Sequence, residues 1–492
     1  MRLLAGLLLA AAALAGDPVR LTVLHTNDLH GQLDPLPPSP VRPFLRDQPA
    51  GGYAHVAAMV RAARKEAADA GACFLLFDGG DIFQGTPVGN ETRGAAVIEA
   101  MNALDYDAGA LGNHEFDFGV ANLRKLVKAA KHPVLAANVS GLEGVKPYVL
   151  LAPPRAPCRI GVIGLLTPET PHITAAGRTR GVRFAAPAPV VRALMKEVEA
   201  DLWIVVSHLG RDDDRRLARE VEGIALILGG HSHTPIVERV DGTLIVQTHA
   251  RGLSLGRADL VLDPAGWKVQ DARGQLLPVD PRSAPADPDV KAIIEKHGRE
   301  LDARLGEVVG ELAASARRAD GTAGNWMADV IRRVGEAEIA FTNRGGIRAD
   351  LEKGAVTLAD CYRFMPFEND VVSMDLTGAE IQELLERHLR GGDGPYRLEW
   401  SGLVIDVAEE DGRSRMVAIE VGDRGLEASR TYRVATNSFL ATGGDGFGTF
   451  RSGRNLTRTG VLIRDAIAAD LRERSPVTPP AEPRVRTALA GR

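Results

Sequence analysis

The sequence predicts an α/β protein of two parts: an N-terminal layered α/β-sandwich domain and a smaller C-terminal α/β domain. Three observations carry this. From residue 18 to about 280, short apolar β-rich runs alternate with helical stretches. A Pro/Asp-rich break, "LPVDPRSAPADPDV" at 277–290, interrupts the pattern, and alternation resumes beyond it. At 492 residues the chain is also too long for one ordinary core.

The chain opens with "MRLLAGLLLAAAALAGDPV", one Arg before an apolar run that ends in Ala13-Leu14-Ala15. The run is shorter than the ~20 residues needed to span a bilayer, so 1–15 reads as a signal peptide removed on export. The runs "RLTVLHT", "CFLLFDG", "RIGVIGL", "LWIVVSH" and "IALILGG" are continuous apolar strands. Between them, "AHVAAMVRAARKEAADA" and "VANLRKLVKAAK" repeat apolar residues at helical spacing. Strands apolar on both faces imply a sheet covered on both sides, which gives a layered domain over 18–280. Residues 34–51 form a Pro-rich surface loop.

The break and the charged helix "DVKAIIEKHGRELDARLG" make a linker and bridging helix over 281–305, flexible enough to permit domain rotation. The second domain covers 306–478, with a helix "TGAEIQELLERHL" and strands such as "TYRVATN", and 479–492 reads as a polar tail.

Composition removes several functions. With 45% apolar and 25% charged residues the chain is globular. A net charge of −5 leaves no electrostatic footprint for a nucleic-acid polymer or an anionic membrane. No membrane anchor is expected beyond the leader, and nothing sets an oligomeric state. Cys73, Cys158 and Cys361 are too few and scattered for a disulfide scaffold, and buried thiols are the favoured reading.

Chemistry concentrates at strand ends. "VLHTNDLHG" supplies Asp28 and His30, "LLFDGGD" Asp81, "GALGNHE" Asn113 and His114, "IVVSHLG" His208, and "LILGGHSH" His231 and His233. Each fragment alone is more often a capped turn or a surface strand. Five together, offering only oxygen and nitrogen donors where α/β sheets bind ligands, point to metal. The donor types fit two divalent ions sharing Asp81, with Asp28, His30 and His233 on one and Asn113, His208 and His231 on the other. Such a pair clamps a phosphoryl oxygen and lowers the pKa of a bound water. A set without thiolate suits Zn, Mn, Fe or Co.

The order "HTNDLHG…GGDIFQGTP…GNHEFDFG…SHLG…GGHSHT" resembles the 5′-nucleotidase family of calcineurin-like metallophosphoesterases, across nearly the whole mature chain. The resemblance implies the same metal ligands and a catalytic dyad of His114 and Asp117, with the second domain binding substrate. In "FTNRGGIRAD" it assigns Asn343 and Arg348 to substrate. In "FMPFENDVV" and "TNSFLATGGDGFG" it assigns Phe367 and Phe439 to stacking on a base and Asp445 to ribose hydroxyls. Arg344 replaces a usual glycine and is expected to face solvent. Arg317 and Arg318 precede "ADGTAGNW" without a clean register.

The implied activity is an exported dimetal phosphohydrolase releasing phosphate from nucleoside 5′-monophosphates by attack of a metal-bound water. UDP-sugar and 2′,3′-cyclic-nucleotide hydrolysis are the enzyme alternatives, and thiosulfate-intermediate hydrolysis a more distant one. A non-catalytic nucleotide-binding surface protein is the reading from another class, disfavoured because every expected position is filled.

Overall fold

Along the strand Val19–Thr26, Leu21 and Val23 face one way and Leu24 the other, as the twofold period of a strand requires. Leu75 and Phe77 of the parallel neighbour Cys73–Asp78 join the first set, and Leu76 the second. The first set meets Val162, Ile204, Leu228 and Val246 from a second sheet. The second set packs beneath the helix Tyr53–Asp69 through Val56 and Val60. On the far face of the second sheet, Ile163, Val205 and Ile227 meet Val191 and Leu217 of the helices Pro187–Glu197 and Arg211–Glu220. Each sheet is therefore covered twice, by helices on one side and by the other sheet on the other. Fully buried aliphatic side chains contribute about 1.5–3 kcal/mol each, so these layers dominate the domain's stability.

Both sheets have six strands. The first runs Lys268–Pro278, Ser254–Asp263, Val19–Thr26, Cys73–Asp78, Ala108–Ala110, Val134–Leu135. The second runs Ile236–Val240, Thr243–Gln247, Ile224–Leu228, Leu202–His208, Ile160–Leu166, Tyr148–Leu151. Within each sheet the strands that carry candidate ligands run parallel to one another, so their carboxyl ends emerge at one edge. The computed structural model describes residues 17–39, 42–154, 158–174, 177–390, 397–410 and 413–487. The expected leader over 1–15 lies outside them.

The linker differs from its expectation as a flexible tether. Val279 is buried and accepts from Gly51 N, Ala284 O accepts from His55 Nδ1, and Asp287 N donates to Ala54 O. Asp287 then caps the helix Pro288–Leu305 by accepting from Val290 N at 3.1 Å, with Pro at the first helical position. Val290, Ile293 and Ile294 of that helix join the core beneath Tyr53–Asp69. A segment rich in Pro and Asp thus lies along the first domain as part of its surface.

In the second domain a five-stranded sheet runs Leu398–Ser401, Ile339–Asn343, Thr431–Asn437, Asp370–Thr377, Arg454–Leu462. The helices Thr322–Val334 and Ile463–Arg474 cover one face and Gly378–Arg390 the other. The expected polar tail is docked as far as it is described: Val485–Thr487 pairs parallel to Leu403–Glu410, and Arg484 binds Asp329 at 2.7 Å. Cys73, Cys158 and Cys361 are buried. Among the described residues no helix is long and apolar enough to cross a membrane.

Candidate active site

The strand ends converge as two clusters that share one carboxylate. Asp28, His30, Asp81 and His233 form the first, and Asp81, His208 and His231 the second, with the donor atoms of each within 4.8 Å of one another. Asp81 Oδ2 lies 3.2 Å from His208 Nε2 and 3.9 Å from His30 Nε2. Asp28 Oδ1 lies 3.3 Å from His233 Nε2. His30 and His208 each turn Nδ1 onto a backbone carbonyl, Gln84 O at 3.0 Å and Gly79 O at 2.6 Å. A carbonyl only accepts, so Nδ1 carries a proton in each ring and Nε2 is the nitrogen turned to the cluster.

Asn113, expected with the second set, lines the same cleft as Asp81 and His231. Its Oδ1 is buried with no hydrogen-bond partner among the described residues, which costs about 1–3 kcal/mol unless a cation meets it. The donor chemistry and this orphaned oxygen fit two divalent ions of the Zn, Mn, Fe or Co type. Backbone strain marks the same residues: Asp28, His30, Asp81, His231 and His233 have φ of 51°, 50°, 55°, 72° and 52°. Left-handed backbone at non-glycine residues persists only where the surroundings over-determine it.

Burial alone would push Asp28 and Asp81 up, but facing imidazoles, His233 for Asp28 and His208 and His114 for Asp81, hold both carboxylates below their ordinary range. Burial likewise opposes a charged His208, yet Asp81 and Asp28 raise it to about 10. For His231 burial prevails, with His208 adding to it, and lowers it to about 4. The site is a buried anionic pair surrounded by nitrogen donors.

His114 begins the 3₁₀ turn His114–Phe116 that follows the strand Ala108–Ala110. Its backbone N donates to Asp81 Oδ1 at 2.9 Å, and its Nδ1 meets Asp117 Oδ2 at 2.7 Å. The ring's Nε2 then faces the cluster, 4.0 Å from Asp81 Oδ2. Burial disfavours the imidazolium, but Asp117 and Asp81 outweigh it and raise its pKa above the ordinary value.

The second domain closes the other wall of a cleft of about 670 Å³, and all five of its expected substrate residues line that wall. Phe367 stands 5.8 Å from His114, ring to ring, with the Arg348 guanidinium 5.7 Å from the Phe367 ring centre. Asn343 Nδ2 donates to Asp445 Oδ2 at 2.8 Å, and burial raises Asp445 to about 6 against that bond. Phe439 lies against Gly444, where a Cβ would come within 2.5 Å of its ring. Both Phe residues are half-buried at the edge of a core, so each has one packed side and one in the cleft.

Some residues depart from expectation or escaped it. Arg344 is bound to Glu399 at 2.7 Å, not simply presented to solvent. Arg317 and Arg318 pair with Glu352 and Asp350 and do not line the cleft. Glu115 was missed: its carboxylate accepts from Gly112 N, Asp81 N and Ile82 N, joining two ligand loops. A carboxylate inside a glycine-bounded turn was the available signal. Arg251 was also missed: its backbone N donates to Asp28 O at 2.7 Å and its guanidinium to Arg348 O at 3.0 Å. Nothing in "THARGL" marks it.

Known proteins share this arrangement of two domains. The calcineurin-like phosphoesterase family matches residues 21–235, and the 5′-nucleotidase C-terminal domain matches residues 305–452. The chain is 30% identical to a 5′-nucleotidase of Homo sapiens over 90% of its own length and 87% of that protein's. A crystal structure of a 5′-nucleotidase precursor from Thermus thermophilus superposes with a TM-score of 0.84 at 31% identity, covering 95% of this chain and 99% of that one. A trifunctional nucleotide phosphoesterase, YfkN of Bacillus subtilis, is 29% identical over 87% of this chain, which spans 32% of that longer protein.

Gly112 offers a direct check on the cluster. Its φ is not left-handed; space is the constraint, because a Cβ there would lie 2.1 Å from Asp81 Oδ1. Gly112→Ala is expected to displace Asp81 and weaken divalent-ion binding at least tenfold, measured by competition with a chromogenic chelator. Unchanged affinity would show that Asp81 is not a shared ligand.

Proposed function

The chain belongs to the calcineurin-like phosphoesterases that carry a 5′-nucleotidase C-terminal domain, metal-dependent phosphoric monoester hydrolases, and we propose that it releases phosphate from nucleoside 5′-monophosphates. The observation that carries this reading is the cleft itself. One wall holds the two donor clusters and the His114–Asp117 pair, and the other holds Arg348, two half-buried Phe residues and the Asn343–Asp445 pair. Export belongs to the same reading. It rests on the leader and is checked by whether the chain recovered outside the cytoplasm has the mass expected from Gly16 onward.

In this mechanism Asp28, His30 and His233 would hold one ion, Asn113, His208 and His231 would hold the other, and Asp81 would serve both. When bound, two ions polarise phosphoryl oxygens and provide a nucleophilic water at neutral pH. Arg348 grips the phosphate with a planar guanidinium, whose fork matches two oxygens at once. His114, held charged and oriented by Asp117, delivers its Nε2 proton to the leaving ester oxygen. Phe367 and Phe439 stack on the base, and Asp445 accepts from ribose hydroxyls, its position set by Asn343.

The test is phosphate release from AMP by the purified mature protein, with abolition by chelation and recovery on adding Mn, Co or Zn salts. Activity that survives exhaustive chelation would sink the dimetal reading. His114→Ala is expected to lower kcat by ~10²–10⁴ with metal content intact. Loss of metal in that variant would make His114 a ligand instead.

Phe439→Ala should weaken kcat/KM for AMP roughly ten- to a hundredfold, from ~1–3 kcal/mol of lost stacking. A small aryl phosphate should lose far less, because it cannot reach across the cleft. Equal losses on both substrates with a lower Tm would make Phe439 a core residue.

A further inference from the structure

We infer that Gln84 contacts the substrate, its side-chain amide donating to the phosphate ester where the ester joins the sugar. Gln84 is 2% exposed, and neither its Nε2 nor its Oε1 has a hydrogen-bond partner among the described residues. Buried amides are almost always paired, and one with both ends unmet is costly to keep. Gln84 lines the cleft together with Asp81, His114 and Phe367. This inference rests on the nucleotide reading above and adds to it a residue that neither the charge pattern nor the metal clusters disclose.

The backbone on the C-terminal side of Gln84 is hydrogen-bonded while the side chain is not. The Gln84 carbonyl accepts from His30 Nδ1, which ties its position to the first donor cluster. Gly85 N donates to Asn90 Oδ1 at 3.2 Å, and Asn90 Nδ2 donates to Pro366 O at 2.6 Å, next to Phe367. The loop is thus held between the donor clusters and the wall that carries the stacking candidate. Gln84 itself has φ of 72°, a conformation a non-glycine residue keeps only under such constraint.

The donor clusters do not need this amide. Each proposed ion already has four protein donors when Asp81 is counted in both sets. A nucleotide offers two neutral groups where its phosphate meets its sugar: an ester oxygen that accepts and a sugar hydroxyl that donates. A primary amide supplies a donor and an acceptor together, without adding charge to a site already rich in it.

Gln84→Met tests the inference, since it keeps length and removes both polar atoms. Three quantities are measured on wild-type and variant: metal content, Tm of the metal-free protein, and the Tm shift given by a non-hydrolysable phosphonate analogue of AMP. kcat/KM for AMP is the fourth. The expected result is unchanged metal content, an equal or higher metal-free Tm, a smaller analogue shift, and kcat/KM lowered roughly ten- to a hundredfold. A lower Tm with unchanged kcat/KM and analogue shift would make Gln84 structural and overturn the inference, as would loss of metal from the variant. A wild-type protein inactive on AMP would sink the nucleotidase reading instead, and the analogue shift would still decide the Gln84 contact.

Discussion

The buried carboxylate of Asp81 is the constraint around which the rest of the site is arranged. It sits at the end of a parallel strand, almost without solvent, and belongs to both donor clusters. A carboxylate there is intolerable alone, because burial disfavours its charge. His208, His114 and His30 surround it, and the backbone N of His114 donates to it. Glu115 holds its backbone N, and Gly112 leaves room for its oxygen. The loops that carry these groups come from separate strands, so the two-sheet sandwich is what sets their spacing.

The second domain depends on the same loop. The chain between Asp81 and Glu91 carries Gln84 into the cleft, and Asn90 onto the Pro366 carbonyl, while Glu91 accepts from the Tyr362 hydroxyl at 2.5 Å. Arg251 makes a parallel link from the Asp28 loop to the backbone of Arg348. Burial, with Arg348 nearby, lowers the Arg251 guanidinium to about 10. These contacts explain why Phe367, a residue of the second domain, stands beside His114 of the first. The linker is laid along the first domain through Val279 and Asp287, so it lies on the first-domain side of this seam.

Much of this was legible from residue types and their order. Apolar runs between amphipathic stretches imply covered sheets, and polar residues after each run are where a sheet edge places ligands. Of the donors read from "NDLH", "GGD", "GNHE", "SHLG" and "GHSH", Asp28, His30, Asp81, His208, His231 and His233 come together in two clusters that share Asp81. Local turns could be read because glycine spacing and short polar side chains act over a few residues. The His114–Asp117 pair is of this kind, since three residues of a 3₁₀ turn bring the two side chains together.

Other features depend on partners far along the chain, and composition has no access to them. Whether "LPVDPRSAPADPDV" is a tether or a strap depends on Gly51, Ala54 and His55. Whether Arg344 faces solvent depends on Glu399, and whether Gln84 is satisfied depends on what the fold places around it. Sequence alone therefore settled fold class, donor types and their order, because period, residue chemistry and short-range geometry are local properties. Only the tertiary structure decided which buried groups find partners and which are left facing the cleft, because satisfaction of a polar group is set by every element packed against it.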